Sequence, residues 1–264
     1  MKLFKRYWTI WTITALNALQ VAFVNRASNV LFFIGKTIRV SMSLLFLFLI
    51  RDQIAHFNQY TTDQVLIFYL TYQFIDTFSQ IFYRGVYEFR EKIRTGTFDF
   101  DLAKPISPLF RALTGQPDIN DAFFFIPTTL VSIYIATTLQ ISVSLSSVLW
   151  YLVLLANAFL IATALHIIVL VVGVLTTEVE GVIWMYRDLM RLGRFPVSIY
   201  LEPMRLALFF IIPVGMMITI PAEVLLNLEP TYSAGLAIVI GVGILTASLW
   251  LWRWSLKHYS SASS

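Results

Sequence analysis

Val148-Leu-Trp-Tyr-Leu-Val-Leu-Leu-Ala-Asn157-Ala-Phe-Leu-Ile-Ala-Thr-Ala-Leu-His166-Ile-Ile-Val-Leu-Val-Val-Gly-Val-Leu175 runs for 28 residues without an Asp, Glu, Lys or Arg. A helix rises 1.5 Å per residue, so about 20 such residues cross roughly 30 Å of hydrocarbon. Outward from this segment the rest of the chain reads the same way. Of 264 residues, 58% are hydrophobic and only 13% charged, about half the share in a soluble domain. That composition excludes a disordered chain, a coiled coil and an ordinary soluble enzyme. The chain has no cysteine, which excludes thiol catalysis, a disulfide framework and thiolate-bound metal.

Five further stretches are long enough to cross: about Leu31–Ile50, Gln64–Tyr83, Ala122–Ile141, Ile199–Ile220 and Ala234–Trp254. The first carries Lys36 and Arg39, which must snorkel toward headgroups. The reading is therefore an all-α integral membrane protein with six transmembrane helices in a single domain over residues 1–264, the spans occupying 31–254. Residues 1–28 form an interfacial helix: Lys2, Lys5, Arg6, Thr9, Thr12, Asn17 and Gln20 share one arc, and Leu3, Phe4, Tyr7, Trp8, Ile10, Trp11, Leu19 and Val21 fill the other. Ile13 and Leu16 break the pattern, and a seventh span is the rival reading.

With six spans, 18 of the 19 Lys and Arg fall on one side, and only Arg51 on the other. The positive-inside rule then places both termini in the cytoplasm, along with loops of about residues 84–120 and 176–198.

The first of these loops begins Val86-Tyr-Glu-Phe-Arg-Glu-Lys-Ile-Arg-Thr-Gly96. Glu88 and Lys92, and Arg90 and Arg94, are i,i+4 neighbours, so the spacing predicts a short helix that Gly96 stops. Lys104-Pro-Ile-Ser-Pro108 then forces an extended or turning chain. Such a loop is either a solvated connector or a docking element. In the second loop Val179, Val182, Ile183, Tyr186 and Met190 repeat at helical spacing, and Gly193 stops a helix over 178–192. Trp184 and Tyr186 would sit at headgroup level.

Gln73, Asp76, Thr77 and Gln80 lie at i, i+3, i+4 and i+7, on one face of the second span. A carboxylate in mid-membrane costs about 2.5–3.5 kcal/mol, while the ten Leu, Ile, Val and Phe of the span return roughly 3–6 kcal/mol. The span inserts, but the stripe must face a helix or a water-filled path. It is either interhelical glue or part of a translocation path. His166, Asn157 and Gly241-Val-Gly243 read as packing features. The three histidines are scattered, so no metal site is expected. Pro221-Ala-Glu-Val-Leu-Leu-Asn227 is too short to cross and reads as a small extracytoplasmic re-entrant helix with Glu223 facing water, or as a surface loop.

Two stretches resemble a known family. Arg94-Thr-Gly96-Thr-Phe-Asp99-Phe-Asp-Leu102-Ala-Lys104-Pro105-Ile-Ser-Pro108 is similar to a signature of the type-2 ABC exporter permeases, in their branch of six-span subunits. Gly193-Arg-Phe-Pro196-Val-Ser-Ile-Tyr200, followed by Phe210-Ile-Ile-Pro213-Val and Ile220-Pro221-Ala222, agrees with it. The motifs and the spans between them cover about residues 84–226. The resemblance implies a non-catalytic permease subunit in a prokaryotic plasma membrane. It implies a second permease, identical or homologous, as partner, and two copies of a cytoplasmic ABC ATPase that hold ATP and Mg. It places a coupling helix over about Val86–Phe98, with Glu88, Arg90, Glu91, Lys92 and Arg94 contacting the ATPase and Gly96 and Asp99 shaping the turn. It also favours Gln73, Asp76, Thr77 and Gln80 as lining the path. This chain shows no phosphate-binding loop of its own, and nothing in it points to nucleic acid. The competing function is a proton-coupled secondary transporter working through Asp76, which would want inverted repeats that the sequence does not show. A membrane enzyme would want clustered His, Asp or Glu, also not seen.

Overall fold

The computed structural model describes residues 2–51, 56–57, 59–139 and 141–260. These are nearly all helical. In chain order, α1 covers Lys2–Val24 and α2 Arg26–Arg51. A two-residue hairpin, His56–Phe57 paired with Tyr60–Thr61, leads into α3, Thr62–Tyr83. Three short helices follow: α4 (Phe89–Arg94), α5 (Thr97–Ala103) and α6 (Pro108–Thr114). Then come α7 (Ile119–Thr138), α8 (Leu145–Thr176), α9 (Glu180–Leu192), α10 (Glu202–Leu206), α11 (Ile220–Leu225) and α12 (Ala234–Leu256).

Side chains fix the ends of the long helices. Thr61 caps α3 in a capping box: the Gln64 N–H donates to Thr61 Oγ1 at 3.3 Å, and the Thr61 N–H donates to Gln64 Oε1 at 2.9 Å. Ser144 and Ser147 do the same for α8. Asp118 caps α7 and Ser233 caps α12.

Four helices, α2, α7, α8 and α12, are long and apolar enough to cross a membrane. A fifth crossing is added if the bent pair 202–211 and 215–225 counts as one. Neither α1 nor α3 meets the same criterion, although each exceeds 20 residues. For α3 the cause is the polar stripe, and for α1 the hydroxyls and carboxamides of Thr9, Thr12, Thr14, Asn17 and Gln20. α8 is the hub, with 67% of its most apolar stretch buried, against 6% for α2 and 17% each for α7 and α12. Those three turn residues such as Leu31, Leu130, Val239 and Trp250 outward, as lipid-facing helices do.

The expected fifth span over Ile199–Ile220 is not one helix. The chain breaks at Ile212–Val214, around Pro213, and bends by 76°. Proline removes an N–H and blocks the preceding turn, and short π-helical segments flank the break on both sides. Ser198 and Glu223 both reach Tyr60, just ahead of α3, whereas Arg187 reaches Asp76 near the other end. The segment from Arg187 to Ser198 thus runs alongside α3.

Three further expectations change. Glu223 does not face water: it is fully buried, accepting from Tyr60 at 2.6 Å and from the Thr231 N–H and hydroxyl at 2.8 and 2.6 Å. Lys36 does not snorkel: it pairs with Asp121 of α7 and lies over the rings of Phe32 and Phe124. Tyr186 is buried against His166, and only Trp184 of that pair is exposed.

Packing of α12 on α8 turns on one glycine. Asn157 donates to the Ala237 carbonyl at 2.9 Å, and a Cβ at Gly241 would lie 2.0 Å from Asn157 Oδ1. Gly243 meets open space. Gly241→Ala should therefore destabilise the detergent-solubilised protein by roughly 1–3 kcal/mol, read as a lower Tm, while Gly243→Ala leaves Tm in place.

Candidate functional site

The polar stripe of α3 is buried within the chain: Gln73, Asp76, Thr77 and Gln80 are each at most 6% exposed. Gln73 donates to Thr77 at 2.7 Å. Arg187 of α9 brings its guanidinium to 3.9 Å from Asp76 and donates to the Tyr87 hydroxyl at 2.9 Å. Tyr87 in turn donates to Gln80 at 3.1 Å. A stripe on one helix is thereby closed by a cation from a second and a phenol from the turn that ends α3. Arg187 lies also near the ring of Tyr87, and Arg194 over that of Tyr72. Burial raises the Tyr87 hydroxyl above its ordinary range, although Arg187 opposes the shift.

The Arg84–Asp99 segment is segmented rather than one helix. A 3₁₀ turn over Arg84–Glu88 leads into α4, and Gly96, at φ 69°, reverses the chain into α5. The predicted stop at Gly96 is where α4 ends. The side chains divide by partner. Arg90 donates to Glu180 of α9 at 2.8 Å. Lys92 turns away from Glu88 and donates to Asp101 at 3.1 Å. Glu91 and Arg94 pair with each other at 2.9 Å and stay largely exposed, and Glu88 is exposed as well. Asp99 accepts from Tyr259, beyond the end of α12, at 2.9 Å. Beside the exposed charges stands Phe100, 68% exposed.

Asp101, which the sequence did not single out, anchors this segment. Its buried carboxylate takes Lys92 at 3.1 Å, Lys104 at 3.3 Å and Arg111 at 2.7 Å, tying α4, α5 and α6 together. Desolvation pushes the carboxyl up, but Lys92, Arg111 and Lys104 together hold it below its ordinary value. Beneath it Phe98 packs against Phe89, Trp252 and Tyr259, so α12 braces the segment. α1 closes the other side: Arg6 donates to the Pro105 carbonyl, and Tyr7 meets Phe110 edge to face. Asp101 precedes the Lys104-Pro turn by three residues, the one local signal that marked it.

His166 lies between Tyr83 and Tyr186 with Nδ1 on the Ala162 carbonyl, a packing role. Among the described residues no three His, Asp or Glu gather into a metal-holding group.

Two outcomes are expected. Asp101 has a folded pKa below the unfolded one, so its stabilisation is present above the ordinary carboxylate range and disappears as pH falls through the folded value. Asp101→Asn should flatten the acid limb of stability against pH, measured by Tm between pH 7 and 3. Arg187→Ala leaves Asp76 buried without its cation and should cost several kcal/mol, about 3–5 by analogy with broken buried pairs. Adding Asp76→Asn should restore much of that, read as a positive coupling energy in a double-mutant cycle.

A search of curated proteins and a search of solved structures each return no match to this chain. One family model does match, that of the ABC-2 family transporter proteins, over residues 37–263. That range takes in α3 with its stripe, the α4–α6 segment, α9, the broken helix and α12. With most of its length matched, and with apolar helices that suit a multi-pass membrane protein, the chain belongs to the ABC-2 family of transporter proteins.

Proposed function

We propose that the chain is the permease subunit of an ATP-driven exporter in a prokaryotic plasma membrane. It would form a path with a second permease, identical or homologous, and be driven by two ABC ATPase subunits that hold ATP and Mg. One observation carries this reading: within the family match, the α4–α5 segment presents Glu88, Glu91, Arg94 and Phe100 outward while its other side chains grip the body of the protein. That is the form a docking element takes, an exposed edge on a rigid base. Arg90, Lys92 and Asp99, which the sequence reading also gave to the ATPase, act in this view as that base.

Movement imposed on α4 has two short routes inward. One is Arg90 to Glu180 on α9. The other is Tyr87, one turn before α4, to Arg187 and so to Asp76 on α3. ATP binding would close the ATPase pair, press α4–α5 and bias the α3–α9 pair between two arrangements, as any coupled change requires. Gln73, Asp76, Thr77 and Gln80 then line or support the path. In this topology both termini and the 84–120 loop are cytoplasmic. The fifth crossing is made by Glu180–Ile199, and 202–225 dips into the outer leaflet and returns. Arg205 then joins Arg51 outside, and Arg187, Arg191 and Arg194 lie within the crossing, which leaves 14 of 19 cations on the cytoplasmic side. A proton carrier at Asp76 is less well supported, because Asp76 is buried and faces Arg187.

The test is charge reversal at the exposed edge. Glu91→Lys with Arg94→Glu keeps their mutual pair but inverts what a partner meets. In a complex reconstituted with its ATPase, transport per ATP hydrolysed should fall at least tenfold while the chain stays folded. Unchanged coupling would rule out the docking role. Reporter tags at Gln59 and Gly115 should label from opposite sides of the membrane, and labelling from one side would contradict the topology.

A further inference from the structure

A polar cavity of about 530 Å³ lies between α1, the start of α2 and the turn before α7. Small-molecule sites span about 300–1,000 Å³. Its walls carry one cation and one anion, Arg84 and Asp118, and the carboxamides Asn17, Asn25 and Gln116. The two charges stand 3.7 Å apart, close enough to attract and too far to hydrogen-bond. Asp118 spends one oxygen on capping α7 through the Asp121 N–H at 3.1 Å, and the other faces Arg84. Burial pushes the Asp118 carboxyl up, against Arg84, Lys36 and a hydrogen bond from the Asn120 backbone. Asn120 donates to Asn29 across the rim at 2.9 Å and holds α2 to the first turn of α7.

A second opening adjoins the first at Ile119. This groove of about 470 Å³ runs between α1 and α7 and is almost wholly apolar, lined by Leu16, Leu19, Ala122, Phe123 and Ile126. A neutral polar cavity beside an apolar groove, both walled by an amphipathic helix, has the two-part chemistry of a lipid.

The charges select among lipids. A headgroup with an excess negative charge would bring it against Asp118. A trimethylated amine has no N–H to give a carboxylate. A primary ammonium beside a phosphate answers both side chains at once, and charge-assisted hydrogen bonds are the strong ones.

We propose that this cavity binds the headgroup of a phosphatidylethanolamine from the leaflet α1 lies in, its phosphate toward Arg84 and its ammonium toward Asp118, with an acyl chain in the α1–α7 groove. The site adjoins the α3 stripe, since Arg84 also lies over the ring of Tyr87, but it does not depend on the transport reading.

Native mass spectrometry of the full chain, exchanged into nanodiscs of equal phosphatidylethanolamine, phosphatidylcholine and phosphatidylglycerol, tests it. The expected result is one retained lipid, with phosphatidylethanolamine favoured over phosphatidylcholine by roughly tenfold, the scale of one charge-assisted hydrogen bond. Asp118→Asn keeps a good helix cap and should remove that preference. Arg84→Gln should weaken retention of all three. Gln116→Ala, on the exposed rim, perturbs no helix and should lower retention even if the charge variants fold poorly. Soluble glycerophosphoethanolamine should compete weakly, because it cannot fill the groove. No retained lipid, equal retention of phosphatidylglycerol, an unchanged preference in Asp118→Asn, or full competition by the soluble headgroup would each overturn the proposal.

Discussion

A carboxylate buried among apolar helices must be answered from within the protein, and Asp76 is answered by Arg187. The two residues are more than 100 positions apart. Their contact places α9 against α3, and Tyr87 joins it from the turn below. Neither charge is comfortable alone, so the pair constrains how α3, α9 and the 84–88 turn can move relative to one another. Gln80 joins the same network through Tyr87, and Gln73 and Thr77 bond to each other on the same face. α3, α9 and the 84–88 turn thus share one set of side chains.

The same economy organises the α4–α6 segment. A charged connector of this length is ordinarily loose. Here Asp101 collects three cations, from α4, the turn after α5 and α6, and Phe98 drives an aromatic wedge between α4 and the end of α12. Gly96 supplies the left-handed turn that lets α5 fold back. What stays outside is a small patch of paired charge with one exposed phenylalanine. A rigid segment of this kind transmits a push, where a flexible one would absorb it.

The apolar helices were legible because length and hydropathy are local properties: α2, α7, α8 and α12 lie within a few residues of their sequence-predicted bounds. So was the stop at Gly96, which acts on its own neighbours. What was not legible depends on partners distant in sequence. Lys36 reads as a snorkelling cation until Asp121, 85 residues on, is seen beside it. Glu223 reads as a water-facing carboxylate until Tyr60 and Thr231 surround it. Lys92 has Glu88 at the right helical spacing but meets a better-buried acid in Asp101. Pro213 lies in the fifth apolar run, but the 76° bend around it, and the packing of 215–225 against α8, involve partners far away in the chain. The α3 stripe was visible from its period, whereas its closure by Arg187 was not.

If the chain is a passive conduit moved by a separate motor, its presence must change what that motor does. The direct measurement is the ATP hydrolysis rate of the partner ATPase in lipid nanodiscs, with and without this chain, alongside proton flux through vesicles holding the chain alone. The account predicts an altered hydrolysis rate in the complex and vesicles that hold their gradient. An ATPase indifferent to the chain, together with a proton leak that Asp76→Asn abolishes, would contradict it.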